Sequence, residues 1–275
     1  MFFQNTLFRQ IMGDRRIDVL PGFSEEVCVV LVEPENDGNI GAVARTMLNF
    51  GFTDLRVVGR DGAWSEETKR RAKNAQRVLE NAKVFQTLEQ STTDCSIVVG
   101  TSGKREEGDK IARRHFLLPE EIPSSLGNAE GRIALVFGPE GKGLLNEQLT
   151  FCDLLVTIPT WEGYPILNLS HAVSIICFIW YYHSDTSKPS GTGGRLLNPK
   201  LRQRFREEAR RLVQNMPTKE HKRKGIEETL FRVIMRGLPK DDEMHRLLGV
   251  ISDAANSFEN KKESKSSKHG AKNED

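Results

Sequence analysis

Five short apolar runs punctuate the chain between residues 27 and 158: VCVVLV (27–32), LRVV (55–58), SIVVG (96–100), IALVFG (133–138) and LLVTI (154–158). Each is nearly continuous in apolar residues, without strict alternation, as in a strand covered on both faces. Between them lie stretches of helical pattern, among them 39–50 and the charged SEETKRRAKNAQRVL (65–79). A chain that alternates in this way folds as an α/β domain around a mainly parallel sheet with helices on both faces. In such a sheet ligands bind at the carboxyl ends of the strands, so the loops after these runs are where chemistry is expected.

Beyond a helix expected over 168–182, the Gly-, Ser-, Thr- and Pro-rich segment 185–198 reads as a linker. Three helical patterns follow within 199–258. Leu201, Phe205, Ala209 and Leu212 share one face, then Ile226, Leu230, Val233 and Ile234, then Met244, Leu247, Leu248 and Ile251. The tail 259–275 has a single apolar residue, Ala271, and is expected to be disordered. Residues 186–275 carry 21 Lys and Arg against 13 Asp and Glu, whereas residues 1–185 carry 19 against 25. A basic C-terminal part on an acidic body suits a polyanion partner, although basic helices are often only solvated.

The four cysteines, Cys28, Cys95, Cys152 and Cys177, are scattered and form no CxxC pair, which fits a reducing cytoplasm and argues against a metal site. The extension 1–24 lacks the basic start and apolar stretch of a signal peptide. The longest apolar run, Ala172 to Tyr182, is too short to span a bilayer, so no membrane partner is expected.

Four loops hold the unusual residues. NDGNIGAVARTMLNFG (36–51) follows the first strand; it is neither a P-loop nor GxGxxG. Ile40, Val43, Ala44 and Met47 make its buried stripe, which turns Arg45 towards solvent or a ligand. VVGTSGKREEG places Thr101, Ser102 and Gly103 after the third run. ALVFGPEGKGLLNEQL packs three glycines and a proline into six residues around Glu140, whose neighbour Lys142 offers a local ion pair. TIPTWEGYPILNLSHAV ends at a helix that Asn168 or Ser170 could cap.

Together the first, third and fourth of these loops resemble the three sequence motifs of the SpoU/TrmH (SPOUT) RNA 2′-O-methyltransferases. GTSGKRE and LFRVIMRGLPKDDEMHRLLGVI look more like its TrmJ branch. The resemblance implies a SPOUT domain over 25–184 with a C-terminal trefoil knot, a small helical domain over 199–258, and a homodimer whose subunits jointly build each active site. It implies S-adenosylmethionine as cofactor and 2′-O-ribose methylation of tRNA in the anticodon loop, at nucleotide 32, by a cytoplasmic enzyme without metal. Carried over by motif, Arg45 is the catalytic residue. The cofactor pocket comprises Thr101, Ser102, Gly103, Gly138, Ile158, Pro165, Ile166 and Leu167, while Asn39, Glu140 and Asn168 support the site. Many relatives have serine where this chain has Ile166. On this reading the basic helical part contacts RNA phosphates through Arg202, Arg206 and Arg210.

Rival readings differ in what they require. A dinucleotide-dependent oxidoreductase calls for a glycine fingerprint and an acidic residue on the second strand, but LRVVGR ends in arginine. A ribosomal RNA target shares the same motifs. A non-catalytic RNA-binding protein would lack Arg45 or break the glycine loops, and neither is seen.

Overall fold

The computed structural model describes residues 20–103, 116–126, 131–184 and 196–270. Most of the N-terminal extension, most of the linker, residues 104–108 of the second loop and the last residues of the tail lie outside the described residues. In chain order the elements are β1 (Val27–Val32), α1 (Asp37–Asn49), β2 (Asp54–Val58), α2 (Glu66–Ala72), α3 (Gln76–Glu80), β3 (Lys83–Phe85), α4 (Leu88–Ser91) and β4 (Ile97–Thr101). They continue as β5 (Phe116–Leu117), α5 (Glu121–Leu126), β6 (Ile133–Phe137), α6 (Asn146–Phe151), β7 (Leu154–Val156) and α7 (Leu169–His183). Three longer helices close the chain: α8 (Pro199–Asn215), α9 (Glu220–Arg236) and α10 (Asp241–Gly270).

The strands lie in the order β3-β2-β1-β6-β4-β7-β5, and every neighbouring pair is parallel. Val29 sits opposite Leu55 on one side and Leu135 on the other. The apolar runs explain the layering. Val27, Val29 and Leu31 pack with Ile40, Val43 and Met47 of α1 and with Val173, Ile176 and Trp180 of α7. Cys28, Val30 and Val32 point the opposite way, into a second cluster with Leu88, Leu144, Leu149 and Cys152. Strands buried on both faces need no polar alternation, which is why these runs lack it.

Several expected boundaries shift. The pattern 65–79 is two helices, broken where Lys73 takes a left-handed φ of 53°. The fifth run ends as a strand at Val156, because residues 157–168 leave the sheet to form a loop. The short strands β3 and β5, too brief to show a period, went unforeseen. On α9 the buried residues are Phe231 and Met235, while Val233 is exposed, so the inward face is rotated from the expected stripe. The last helix continues past Phe258, where a disordered tail was expected, to Gly270; Glu259 is held there by Arg211 and Asn215.

The C-terminal helices share the apolar cluster of the sheet: Phe205, Ala209, Phe231, Met244 and Leu248 join it. A polar dock accompanies this packing. The buried Asp153 accepts from the Val98 backbone N–H and from Arg202 Nε, both at 2.7 Å. Arg206 donates to the Phe151 carbonyl at 2.7 Å and stacks over the Phe151 and Phe231 rings, 4.7 and 3.7 Å from their centroids.

Candidate active site

Because the sheet is parallel, β1, β6, β4 and β7 all end at one edge, and they are four successive neighbours in it. The four unusual loops are the loops that leave these ends. After β1, Asn36 caps α1, its Oδ1 accepting from the Asn39 backbone N–H at 3.2 Å. A Cβ at Gly41 would fall 2.1 Å from the Thr68 carbonyl oxygen, so this glycine lets α2 close on the first turns of α1.

After β6 the chain doubles back within six residues. A Cβ at Gly138 would fall 2.3 Å from the backbone of Gly143 and Leu144, and Gly141 and Gly143 take φ of 75° and 67°. The bare Cα of Gly138 therefore makes room for the loop itself. After β7, Asn168 Oδ1 caps α7 through the Ser170 N–H at 2.9 Å.

One hydrogen-bonded chain ties three of these loops together. Asn168 Nδ2 donates to Asn39 Oδ1 at 3.1 Å, and Asn39 Nδ2 donates to Glu140 Oε1 at 2.6 Å. Glu140 also accepts from the backbone N–H groups of Glu35 at 2.8 Å and Asn36 at 3.3 Å. Partial burial works to raise the Glu140 carboxyl, but the bonds from Asn39, Glu35 and Asn36 outweigh it and hold the group below the usual carboxylate range. Asn168 thus caps a helix and braces the loops at once.

Within this edge lies a cavity of about 250 Å³. Thr101, Ser102 and Gly103 line it from β4, Gly138 from β6, and Ile158, Pro165, Ile166 and Leu167 from the loop after β7. All eight residues expected around the cofactor therefore meet in one place. Leu169 and Ala172 extend the apolar wall, and Glu140, Lys142 and Asn146 stand among its polar members. The Thr101 hydroxyl donates to the Val136 carbonyl at 3.0 Å. Apolar walls, a few polar groups and main chain freed by glycine fit a flat heteroaromatic ring carrying a polar tail.

Arg45 is placed apart. It is exposed on α1, is not among the cavity's lining residues, and makes no hydrogen bond or ion pair to a described residue. The expected RNA contacts at Arg202 and Arg206 require correction. Arg202 is 5% exposed against Asp153, and Arg206 lies between two rings, where burial lowers its pKa to about 10. Both guanidinium groups dock α8 against the rest of the fold, Arg202 buried and Arg206 mostly so. Arg210 is exposed and pairs with Glu227 at 3.0 Å.

Sequence reasoning missed Arg60, which donates to Asp37 Oδ1 at 2.7 Å and to the Pro34 carbonyl at 3.1 Å and so pins the loop after β1. Its signal was available: it stands just past β2, the strand beside β1. Lys142 also reaches across loops, to Glu35 at 3.1 Å, rather than pairing with its neighbour Glu140. Among the described residues no group of His, Cys, Asp or Glu could hold a metal ion.

Fold and cavity together define an α/β protein with a lined cavity at a parallel sheet's carboxyl edge. Residues 26–178 match the SpoU rRNA Methylase family. A tRNA (cytidine-2′-O-)-methyltransferase TrmJ from Methanocaldococcus jannaschii is 35% identical over 82% of this chain and 98% of its own. The tRNA (cytidine/uridine/adenosine-2′-O-)-methyltransferase TrmJ of Pseudomonas aeruginosa is 36% identical over 56% of this chain and 60% of its own. The crystal structure of TrmJ from Z. mobilis superposes with a TM-score of 0.67 at 26% identity, covering 82% of this chain and 97% of that one. The chain belongs to the SpoU methylase family and is a methyltransferase.

Proposed function

We propose that this methyltransferase moves the methyl group of S-adenosylmethionine to a ribose 2′-oxygen of tRNA, at nucleotide 32 of the anticodon loop. The tRNA substrate is supported by the names of the archaeal and bacterial relatives, and the position by resemblance to the TrmJ branch. The observation that carries the reading is the convergence of the loops after β4, β6 and β7 on one cavity, braced to the loop after β1 through Asn168, Asn39 and Glu140.

In this reading Ile158, Ile166 and Leu167 sandwich the adenine, and the loop backbone around Ser102 and Gly138 orients it. The bound cofactor supplies an electrophilic methyl on a sulfonium. The chain supplies position, which is the larger part of what an in-line attack needs. Arg45 binds the adjacent phosphate bidentately and stabilises the oxygen as it loses its proton to that phosphate or to water. A guanidinium is a poor base, so Arg45 does not take the proton itself. The threaded, knotted path belongs to the same reading. It is supported by the return of residues 158–167 from β7 to the loops of β4 and β6.

A homodimer accounts for an exposed Arg45 that does not line its own cavity: the guanidinium serves the cavity of a second copy. In support, Phe50, Phe178, Tyr181 and Tyr182 form a chain of ring contacts 5.8–6.2 Å apart on α1 and α7, with Phe178, Tyr181 and Tyr182 exposed. A cytoplasmic location also belongs to this reading. Among the described residues no helix is long and apolar enough to cross a membrane.

The test is incubation with labelled S-adenosylmethionine and total tRNA, followed by nucleoside mapping by mass spectrometry. The expected product is a 2′-O-methylated nucleoside at position 32. A 2′-O-methylated nucleoside only at another position, or no label in tRNA, overturns the proposal.

A further inference from the structure

The chain has three tryptophans, and they live in different surroundings. Trp180 is 1% exposed in the core, and the half-buried Trp64 donates its indole N–H to the Leu79 carbonyl at 2.8 Å. Trp161, in the loop after β7, is 78% exposed. Its ring is nevertheless seated. A Cβ built on Gly163 would fall 2.4–2.7 Å from three atoms of the six-membered ring, so the indole lies against the Gly163 main chain where no other residue would admit it. The turn beneath is closed by the Tyr164 N–H on the Trp161 carbonyl and by the Thr160 hydroxyl on the Pro165 carbonyl, both at 3.0 Å. One face of the ring rests on backbone and the other meets water.

Resting on the function proposed above, we infer that Trp161 is a stacking platform for an unpaired nucleobase of the substrate RNA, at or beside the methylated ribose. A flat, pre-seated indole loses little freedom when a base stacks on it, and every base has a face to offer. Position supports this partner. Ile158 precedes the ring by three residues and Pro165 follows it by four, and both line the cavity. A base held on Trp161 is therefore held only a few residues of chain from the cavity lining. A protein partner fits less well, because the broad exposed aromatic face lies on α7.

The experiment uses the full chain and a synthetic RNA hairpin with an unpaired loop. Tryptophan emission is recorded during titration, and Kd is measured independently by anisotropy of the labelled hairpin. Because Trp161 is the one solvent-facing tryptophan, quenching at concentrations that saturate binding reports on its ring. Trp161→Ala is expected to raise Kd about tenfold and to leave S-adenosylmethionine affinity unchanged. Trp161→Phe should restore most of the affinity, and Gly163→Ala, which displaces the ring without removing it, should behave like Trp161→Ala. Absence of quenching, or a Kd for Trp161→Ala within twofold of the parent, overturns the inference. So does a loss of dimer mass in Trp161→Ala with unchanged Kd, which would assign the ring to a second copy. If the parent binds the hairpin with quenching yet methylates no RNA, the proposed reaction fails while the platform stands.

Discussion

Arg45 and Glu140 illustrate two ways in which a single residue serves this site. Arg45 sits on the exposed side of a helix whose other side is filled by Ile40, Val43, Ala44 and Met47. If its role is the bidentate grip on phosphate, Arg45→Lys should lower turnover about a hundredfold and leave cofactor affinity within twofold, checked by single-turnover kinetics and calorimetry. Glu140 works as an acceptor for three donors, so Glu140→Gln should cost about 1 kcal/mol near neutral pH, discounted for its partial exposure. Its folded pKa is depressed, so this contribution is present above the unfolded value and is lost as pH falls through the folded one. Melting curves should therefore separate the variant from its parent at pH 7 and draw them together as pH falls below the usual carboxylate range. The brace was legible as motif residues, but its wiring was not. No spacing rule tells that Asn168 would cap α7 with its oxygen while its nitrogen reaches Asn39.

Among the elements, α8 best shows what periodicity can and cannot reveal. The spacing of Leu201, Phe205, Ala209 and Leu212 identified a helix and its inward face. It could not show that Arg202 and Arg206 would also turn inward, because the cause lies on another element: Asp153, between Cys152 and Leu154 at the start of β7. An amphipathic pattern counts positions, whereas a buried charge is decided by what the neighbour brings. Arg202→Met should strand the Asp153 carboxylate in the interior and destabilise the protein by about 3 kcal/mol. Adding Asp153→Asn should recover part of that loss, and chemical denaturation of the single and double variants tests both expectations.

For the whole molecule, the apolar cluster runs unbroken from the sheet into α8, α9 and α10, so the C-terminal helices belong to the stability of the sheet as well as to any RNA surface. The proposed pairing of two copies is tested on α7. Phe178→Asp with Tyr182→Asp alters only exposed positions, and it should yield a folded monomer by light scattering that retains the cofactor but no longer methylates. Parallel strands and the edge that carries the site were readable from five apolar runs, since burial on both faces leaves its mark on composition. Their order was not, because β6 enters between β1 and β4, and nothing in a run of Ile, Ala, Leu and Val names its neighbours. That insertion sets the order in which the sheet can close during synthesis. Until residues 133–137 have been synthesised, the seam between the two earlier strands stays open, with main-chain donors and acceptors unpaired on each lip. Productive assembly therefore waits on a late-arriving central strand, and a stalled nascent chain that ends before it is a ready substrate for chaperones or for aggregation.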